Sequence, residues 1–224
     1  MESTRLPGKP LADICGRSLI LRVLDGASRA NPDRLIAATD SEAIMKEVEG
    51  AGYEAVLTGP APNGTQRIYH AWKILGKPGD RIVNLQGDEP GAGPEWVDAL
   101  LSEELSDRGV STLAVSMDGE TALNQSAVKV VFDSQGRALY FSRSPIPWSG
   151  KTYFRHVGVY CFTSESLEFC AKSPTGPLAA SENLEQLSWM ENGASIRVIP
   201  GNWKGMGIDT PEDLEDARRW FKKH

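Results

Sequence analysis

The stretch Arg81-Ile82-Val83-Asn84-Leu85-Gln86-Gly87-Asp88-Glu89-Pro90 decides the fold of this chain. Its first half is apolar and rich in β-branched residues, and its second half contains Gly, two acids and Pro. This pattern predicts a buried strand that runs out of a sheet into a tight loop. Ligands in open α/β sheets bind just beyond the carboxyl ends of the strands, where we expect Asp88 to lie. A carboxylate there suits Mg²⁺ and, through it, a phosphate. A plain turn is the alternative, because Asp and Pro are ordinary turn residues.

The segments on either side alternate between strand and helix patterns. In chain order, the predicted elements are a helical pattern from Leu11 to Ala30, a strand at 34–39 that runs into Asp40, a helix at 41–50, a strand at 53–58, a helix at about 65–75, the strand at 81–85, a helix at about 94–105 and a strand at 111–116. This alternation predicts an α/β fold with a mostly parallel sheet flanked by helices.

The middle of the chain is richer in strands. Residues 127–133 and 138–142 flank a turn, which predicts a hairpin, and further strands are predicted at 155–162 and 196–199. A helix around residues 184–190 lies between the last two strands, and the final helix is predicted to begin with Thr210 as its N-cap. We expect a single domain over residues 1–224, with a β-rich lobe at about 124–200.

The composition narrows the class of function. The formal net charge is −6, which argues against nucleic-acid or anionic-membrane partners, because both require a basic surface. The sequence has no apolar run long enough to span a membrane and no signal peptide, so we expect no membrane association. The three cysteines have no metal-site spacing and are odd in number, which favours the reducing cytoplasm.

Two loops carry groups that suit phosphate. The loop Ser3-Thr4-Arg5-Leu6-Pro7-Gly8-Lys9 combines two cations, two hydroxyls and a flexible Gly. It is not a Walker A loop, and a solvated basic loop is the alternative. In Asn63-Gly64-Thr65-Gln66-Arg67, the N–H groups at a helix start around Gly64 and Thr65 are able to bind an anion or a base edge. A helix N-cap and nothing more is the alternative there.

Other polar residues also have a purely structural interpretation. Asp209 is either a helix-start acid or a second metal-binding carboxylate brought beside Asp88. His156 is most simply a hydrogen-bonded histidine within a strand. Glu185 and Gln186 are adjacent on a predicted helix, so at least one should flank its buried face, and a solvated helix edge is the alternative.

Nine sequence blocks, in this order, resemble one family, the CMP-Kdo synthetases or 3-deoxy-manno-octulosonate cytidylyltransferases. The blocks are Ser-Thr-Arg-Leu-Pro-Gly-Lys-Pro-Leu at 3–11, Ala-Thr-Asp at 38–40, Gln-Gly-Asp-Glu-Pro at 86–90, Ala-Val-Lys-Val-Val at 127–131, Ala-Leu-Tyr-Phe-Ser-Arg at 138–143, Ile-Pro-Trp at 146–148, Arg-His-Val-Gly-Val-Tyr at 155–160, Leu-Glu-Gln-Leu at 184–187 and Asp-Thr-Pro-Glu-Asp-Leu at 209–214. A single block would be a weak signal, whereas nine in register cover nearly the whole chain.

The resemblance implies a cytoplasmic, homodimeric enzyme with a nucleotide-binding sheet of the nucleotide-diphospho-sugar transferase type. It would use CTP and Mg²⁺ to activate Kdo, a 2-keto sugar acid, for lipopolysaccharide synthesis. By the resemblance, Arg5 and Lys9 hold the triphosphate, Lys9 acts in catalysis together with Asp88 and Asp209, and these two acids bind Mg²⁺. Gly64 and Thr65 would lie near the cytosine or its ribose. The residues implied to bind the sugar acid are Gln86, Arg143, His156, Tyr160, Glu185 and Gln186.

The chain departs from the family pattern in four places, and one of them is Asn-Gly-Thr-Gln-Arg at 63–67, where the family has Ser-Gly-Thr-Glu-Arg. Met1 and Glu2 stand where the family has a strand and a turn with another Arg, so we expect the first strand of the sheet to be absent. Ala179 replaces an acid, and Ser188 replaces an Arg near the sugar site. The alternatives are therefore a cytidylyltransferase for a related 2-keto sugar acid, a nucleotidyltransferase for another sugar or polyol phosphate, and a non-catalytic nucleotide-binding remnant. For a dimer, we expect residues 159–162 to offer apolar surface.

Overall fold

The computed structural model of the protein describes Leu6, residues 8–203 and residues 205–223. A short 3₁₀ turn occupies Lys9–Leu11. The α-helices are α1 (Leu19–Ser28), α2 (Glu42–Gly50), α3 (Gly64–Ile74), α4 (Pro94–Leu101), α5 (Gly119–Ala122), α6 (Ser164–Lys172), α7 (Pro177–Glu182), α8 (Glu185–Glu191) and α9 (Pro211–Phe221). The strands are β1 (Ile36–Thr39), β2 (Glu54–Leu57), β3 (Arg81–Asn84), β4 (Gly109–Met117), β5 (Lys129–Phe132), β6 (Ala138–Ser142), β7 (Tyr153–Thr163) and β8 (Ser195–Gly201). The predicted α/β fold class is confirmed.

The helix predicted from Leu11 to Ala30 is wrong in its first half, because α1 begins only at Leu19. Cys15 and Gly16 have φ angles of 55° and 78°, which no α-helix accommodates. The carboxylate of Asp13 accepts a hydrogen bond from the N–H of Gly16 over 3.0 Å and closes a turn there. The apolar spacing alone could not reveal this turn, since it continues across both segments.

The first compact unit contains the described parts of residues 6–77, 85–98 and 205–223. Its strands β1 and β2 pair in parallel, with Ile36 opposite Glu54 and Thr39 opposite Leu57. Helix α1 buries two faces. One face packs against residues of α9 and the loop before it, and the other packs against β1 and α2. The loop that follows β3 and the start of α9 are thereby anchored in one core.

The second compact unit contains residues 78–84 and 99–203. Its sheet has the order β6-β5-β7-β4-β8, and β3 also pairs with β7. Strand β7 is antiparallel to β3, β4 and β5, whereas β4 and β8 are parallel, so the pairing in this sheet is mixed. The predicted hairpin is confirmed as β5 and β6, with Lys129 opposite Ser142. All residues of the β-rich stretch 124–200 belong to this unit.

Strand β7 contains a β-bulge, since Thr112 of β4 faces Tyr160 while the next residue, Leu113, faces Val157. Bulges re-aim side chains and are common beside functional sites.

The prediction that residues 159–162 offer apolar surface for a dimer is wrong, because all four side chains are buried, with exposed fractions of 0–3%. Of the described helices, none has both the length and the apolar character needed to cross a membrane.

Candidate active site

The first unit gathers three of the predicted site residues around one ammonium group. Lys9 Nζ lies 2.8 Å from Asp88 Oδ2 and 3.2 Å from Asp209 Oδ1. It also donates a hydrogen bond to the main-chain carbonyl of Ile208 over 2.6 Å. The side chain of Lys9 is 12% exposed, while those of Asp88 and Asp209 are 32% and 58% exposed. A cation is therefore held between two carboxylates that open towards solvent.

Local backbone contacts bring Asp88 and Asp209 together. The N–H of Ile208 donates to the carbonyl of Asp88 over 3.0 Å. The carboxylate of Glu89, which is 6% exposed, accepts the N–H of Met206 over 3.1 Å. The loop before α9 is thus fastened to the loop after β3 at adjacent residues, and Asp209 follows one residue after the last of these contacts.

The 3₁₀ turn that begins at Lys9 and the capped start of α9 hold the two sides of this cluster in place. Lys9 begins the 3₁₀ turn directly after Gly8, whose φ of 69° is a left-handed conformation that favours Gly. On the other side, Thr210 is the N-cap of α9, as predicted, and it forms a reciprocal capping box with Asp213. Asp213 Oδ2 also accepts the N–H of Asp209 over 3.0 Å.

The electrostatics of this cluster keep Lys9 charged. Burial acts to lower the pKa of Lys9, but the charges and hydrogen bonds of Asp88 and then Asp209 outweigh it, so the pKa is raised. The ammonium ion of Lys9 therefore offsets part of the negative charge of the two carboxylates.

The oxygen ligands at this place fit Mg²⁺. Among the described residues, no three His, Cys, Asp or Glu side chains converge on one point. Magnesium is commonly bound through one or two carboxylates, with water and substrate phosphate completing its shell. Asp88 and Asp209 would supply those two carboxylates.

The predicted nucleotide residues are placed only in part. Arg5 lies outside the described residues. Gly64 and Thr65 form the first turn of α3, where the side chain of Asn63 caps the helix by accepting the N–H of Gln66 over 2.8 Å. Thr65 is 1% exposed, and its hydroxyl has no hydrogen-bond partner in the part of the chain that the structure describes. The N-cap interpretation is correct for Asn63, and it leaves a buried hydroxyl next to the helix start.

An ion pair that sequence reasoning missed connects the block at 38–40 with the loop at 63–67. Arg67 Nη2 donates to Asp40 Oδ2 over 2.7 Å, and Nη1 donates to Thr58 Oγ1 over 3.1 Å. The hydrogen bond from Arg67 is the main reason that the pKa of Asp40 is lowered. The available signal was an acid that follows one predicted strand, in Ala-Thr-Asp, and an Arg in the loop Asn-Gly-Thr-Gln-Arg.

In the second unit, the β-bulge brings His156 and Tyr160 together, with ring centroids 5.4 Å apart. His156 Nε2 lies 2.9 Å from Thr112 Oγ1, and that hydroxyl donates to the carbonyl of Val159 over 2.7 Å. With the single hydroxyl proton assigned to a carbonyl, the imidazole proton is assigned to Nε2, which then donates a hydrogen bond to Thr112. The hydrogen bond expected of a strand histidine is therefore present.

Burial sets the charge state of both rings. Burial and the charge of Arg155 lower the pKa of His156 to about 3, so the imidazole is neutral at physiological pH. Burial, followed by the charge of Glu185, raises the pKa of Tyr160 well above its usual range, so its hydroxyl stays protonated. The pair offers neutral hydrogen-bonding groups.

Arg143 is held by residues that sequence reasoning did not single out as functional. Its main-chain carbonyl accepts a hydrogen bond from Lys129 Nζ over 2.5 Å, and Lys129 is fully buried. Burial and the charge of Arg143 lower the pKa of Lys129. On the other side, the carboxylate of Glu182 accepts the N–H of Arg143 over 2.9 Å. The available signal was a lone Lys in the apolar run Ala-Val-Lys-Val-Val.

The remaining predicted residues occupy distinct positions. Gln86 is half-buried in the loop after β3, and its carbonyl accepts the N–H of Glu89 over 3.2 Å. Glu185 and Gln186 are the first two residues of α8, and Gln186 is 3% exposed. The solvated-edge alternative is therefore wrong for Gln186.

Known proteins resemble this chain over nearly its whole length. The sequence profile of the family described as cytidylyltransferase matches residues 1–196. The 3-deoxy-manno-octulosonate cytidylyltransferase of Anaeromyxobacter dehalogenans (strain 2CP-C) is 46% identical over 224 residues, which cover 96% of this chain and 92% of that protein. The enzyme of the same name from Chlamydia pneumoniae is 41% identical and covers 98% of this chain and 90% of its own length. The solved structure of CMP:2-keto-3-deoxy-manno-octonic acid synthetase complexed with CTP superposes with a TM-score of 0.89 at 34% identity, covering 98% of this chain and 94% of that one.

Proposed function

We propose that this chain, which belongs to the 3-deoxy-manno-octulosonate cytidylyltransferase family, transfers CMP from CTP to the anomeric hydroxyl of Kdo. The hydroxyl oxygen bonds to the α-phosphorus, the bond from that phosphorus to the bridging oxygen breaks, and CMP-Kdo, pyrophosphate and the hydroxyl proton are released. The observation that carries the proposal is the cluster of Lys9, Asp88 and Asp209, which assembles three separate blocks of the family pattern.

Lys9 and the two acids supply the charges that such a transfer needs. Phosphoryl and nucleotidyl transfers depend mainly on positioning and on neutralising the charge of the phosphates. Lys9 remains an ammonium ion at neutral pH, so it is able to bind a phosphate oxygen of CTP. Bound to Asp88 and Asp209, Mg²⁺ would neutralise phosphate charge and lower the pKa of the attacking hydroxyl. We propose Arg5 as a further triphosphate ligand, with Gly64 and Thr65 near the nucleoside.

The second unit supplies residues that suit an acidic sugar. The planar guanidinium of Arg143 presents paired N–H groups that suit a carboxylate. Neutral His156 and Tyr160, together with Gln186, offer hydrogen-bonding groups for sugar hydroxyls without adding charge. We propose that these residues, with Gln86 and Glu185, bind Kdo.

We further propose that the protein is a cytoplasmic homodimer whose product is used for lipopolysaccharide synthesis. The dimer is supported by exposed apolar side chains of the second unit, because Trp148 is 94% exposed and Leu139 is 54% exposed. Light scattering at micromolar concentration should give the mass of a dimer. Trp148→Ser should shift that mass towards a monomer, and a natural protein that is already monomeric would contradict this part of the proposal.

Release of pyrophosphate tests the reaction. Purified protein with CTP and Mg²⁺ should release pyrophosphate only when Kdo is added. Release that is independent of Kdo would contradict the acceptor, and activity with a different 2-keto sugar acid but not with Kdo would correct the identity of the sugar. Binding of CTP without any turnover would favour the nucleotide-binding remnant.

A further inference from the structure

Two segments that carry predicted sugar-acid residues meet at one side chain, Glu182. Glu182 is the last residue of α7, and Asn183 follows it in the left-handed conformation at φ 54° and ψ 51°. Leu184 is the N-cap of α8, which begins with Glu185 and Gln186. Glu182 therefore lies at the tight corner that leads into α8.

The carboxylate of Glu182 binds the last residue of β6 and the residue that follows it. Ser142 Oγ donates to Oε1 over 2.6 Å, and the N–H of Arg143 donates to Oε2 over 2.9 Å. Ser142 Oγ also accepts the N–H of Ser144 over 3.0 Å, so its proton is directed at Glu182. The main-chain carbonyl of Glu182 accepts Arg143 Nε–H over 3.1 Å. One residue thus fixes both the backbone and the guanidinium of Arg143.

The other contacts of Arg143 leave the outer edge of its guanidinium accessible to a ligand. Nη1 donates to the carbonyl of Gln125 over 3.2 Å, and Lys129 Nζ binds the carbonyl of Arg143. Among the described residues, none accepts a hydrogen bond from Nη2 of Arg143. The second N–H of Nη1 and those of Nη2 form the fork that binds a carboxylate in two parallel hydrogen bonds.

We infer that Glu182 is a positioning residue for the sugar acid, because it fixes the guanidinium of Arg143 relative to the start of α8. The inference rests on the proposed function, in which Arg143, Glu185 and Gln186 bind Kdo. An error of about one ångström in such an arrangement costs on the order of a hundredfold in rate. Glu182 touches no substrate in this account and acts through Arg143.

Three variants separate positioning from general stability. Glu182→Ala removes both carboxylate contacts. Glu182→Gln restores them, because its amide oxygen accepts the N–H of Arg143 and its amide nitrogen donates to the rotated hydroxyl of Ser142. Glu191→Ala is the matched control, since the carboxylate of Glu191 accepts the N–H groups of Leu178 and Ala179 over 3.0 and 3.1 Å at the opposite end of α7.

The experiment measures steady-state kinetics with Kdo and CTP varied separately, together with hydrogen exchange at the amide of Arg143. In Glu182→Ala, we expect the KM for Kdo to rise about tenfold or more, while the KM for CTP changes less than about twofold. Glu182→Gln should return the KM for Kdo to within about threefold of the natural value, and Glu191→Ala should leave it within about twofold. The amide of Arg143 should lose protection only in Glu182→Ala.

The outcomes distinguish this inference from the function on which it rests. Turnover in Glu182→Ala with an unchanged KM for Kdo would overturn the inference while leaving the proposed function intact. An equal rise of the KM for Kdo in Glu191→Ala would also overturn it, because the effect would then be one of helix stability. Absence of Kdo-dependent turnover in the natural protein would instead overturn the proposed function, and the inference with it.

Discussion

Replacing Lys9 by Met tests whether its ammonium group holds the two carboxylates of the candidate site together. Met retains most of the buried stem and removes the charge. The pair with Asp88 is partly buried and contributes about 1–2 kcal/mol, while the pair with the more exposed Asp209 contributes about 0.5 kcal/mol. Loss of the hydrogen bond to Ile208 adds about 1 kcal/mol. We therefore expect a loss of about 2.5–3.5 kcal/mol in the free energy of unfolding without metal.

The assay is urea unfolding of the metal-free protein, repeated with Mg²⁺. Mg²⁺ should stabilise Lys9→Met more than it stabilises the natural protein, because the ion relieves the repulsion between Asp88 and Asp209 that the variant exposes. Lys172→Met is the control, since its pair with Glu168 is largely exposed and should contribute less than about 0.5 kcal/mol. A Lys9→Met variant that equals the natural protein in both conditions would refute the reasoning.

Three further predictions test other parts of the account. Asp88→Asn should abolish turnover while metal-free binding of CTP, measured by calorimetry, persists, and a variant of comparable activity would remove Asp88 from the proposed metal site. Because the pKa of His156 is about 3 when folded and about 6.5 when unfolded, its contribution to stability is complete above pH 6.5 and is lost as the pH falls towards 3. His156→Gln should therefore reduce the loss of unfolding free energy between pH 8 and pH 5 by about 2 kcal/mol, whereas an unchanged pH dependence would show that the imidazole is not held neutral. Gly26→Ala should lower the free energy of unfolding by about 2–3 kcal/mol, because the new Cβ would lie 2.2 Å from the carbonyl oxygen of Ala92. In Gly50→Ala the new Cβ meets nothing within 4 Å, so chemical unfolding should show a neutral or stabilising effect. Equal effects of the two substitutions would contradict the close approach at Gly26.

Features encoded by neighbouring residues were predictable from the sequence. The start of α9 was identified because Thr210 and Pro211 satisfy the N-cap and first-turn preferences within a few residues. The hairpin of β5 and β6 was likewise identified from the turn residues at 134–136. In the structure, Gly136 in this turn has a φ of 79°, a conformation that favours Gly. In both cases the chemistry that determines the structure lies within one short segment.

Features that depend on distant segments were not predictable by this reasoning. Lys129 is fully buried, and its ammonium group donates both to the nearby carbonyls of Asn124 and Ala127 and to that of Arg143, which lies beyond the next strand. Nothing in the alternation of the strand specifies those acceptors. In the β-bulge of β7, the carbonyl of Val159 likewise accepts its hydrogen bond from the hydroxyl of Thr112, which lies on another strand.

In the candidate site, individual residues were predictable from the sequence, whereas the contacts between them were not. Asp88 and Asp209 were selected as separate acids at the ends of their elements, and their meeting was only a hypothesis. In the structure, the hydrogen bond between Ile208 and Asp88 and the bridge through Lys9 bring them together. Arg143 was selected by resemblance alone. Its contact with Glu182 was not predictable, because Glu182 lies on a helix 39 residues further along the chain.

The most direct test of the central claim is ³¹P NMR of a reaction that contains the protein, CTP, Mg²⁺ and Kdo. The account predicts that the three phosphate signals of CTP are replaced by equal amounts of pyrophosphate and one phosphodiester, CMP-Kdo, and that nothing changes when Kdo is left out. Conversion of CTP to CMP or CDP without the phosphodiester, or a phosphodiester that forms without Kdo, would contradict it.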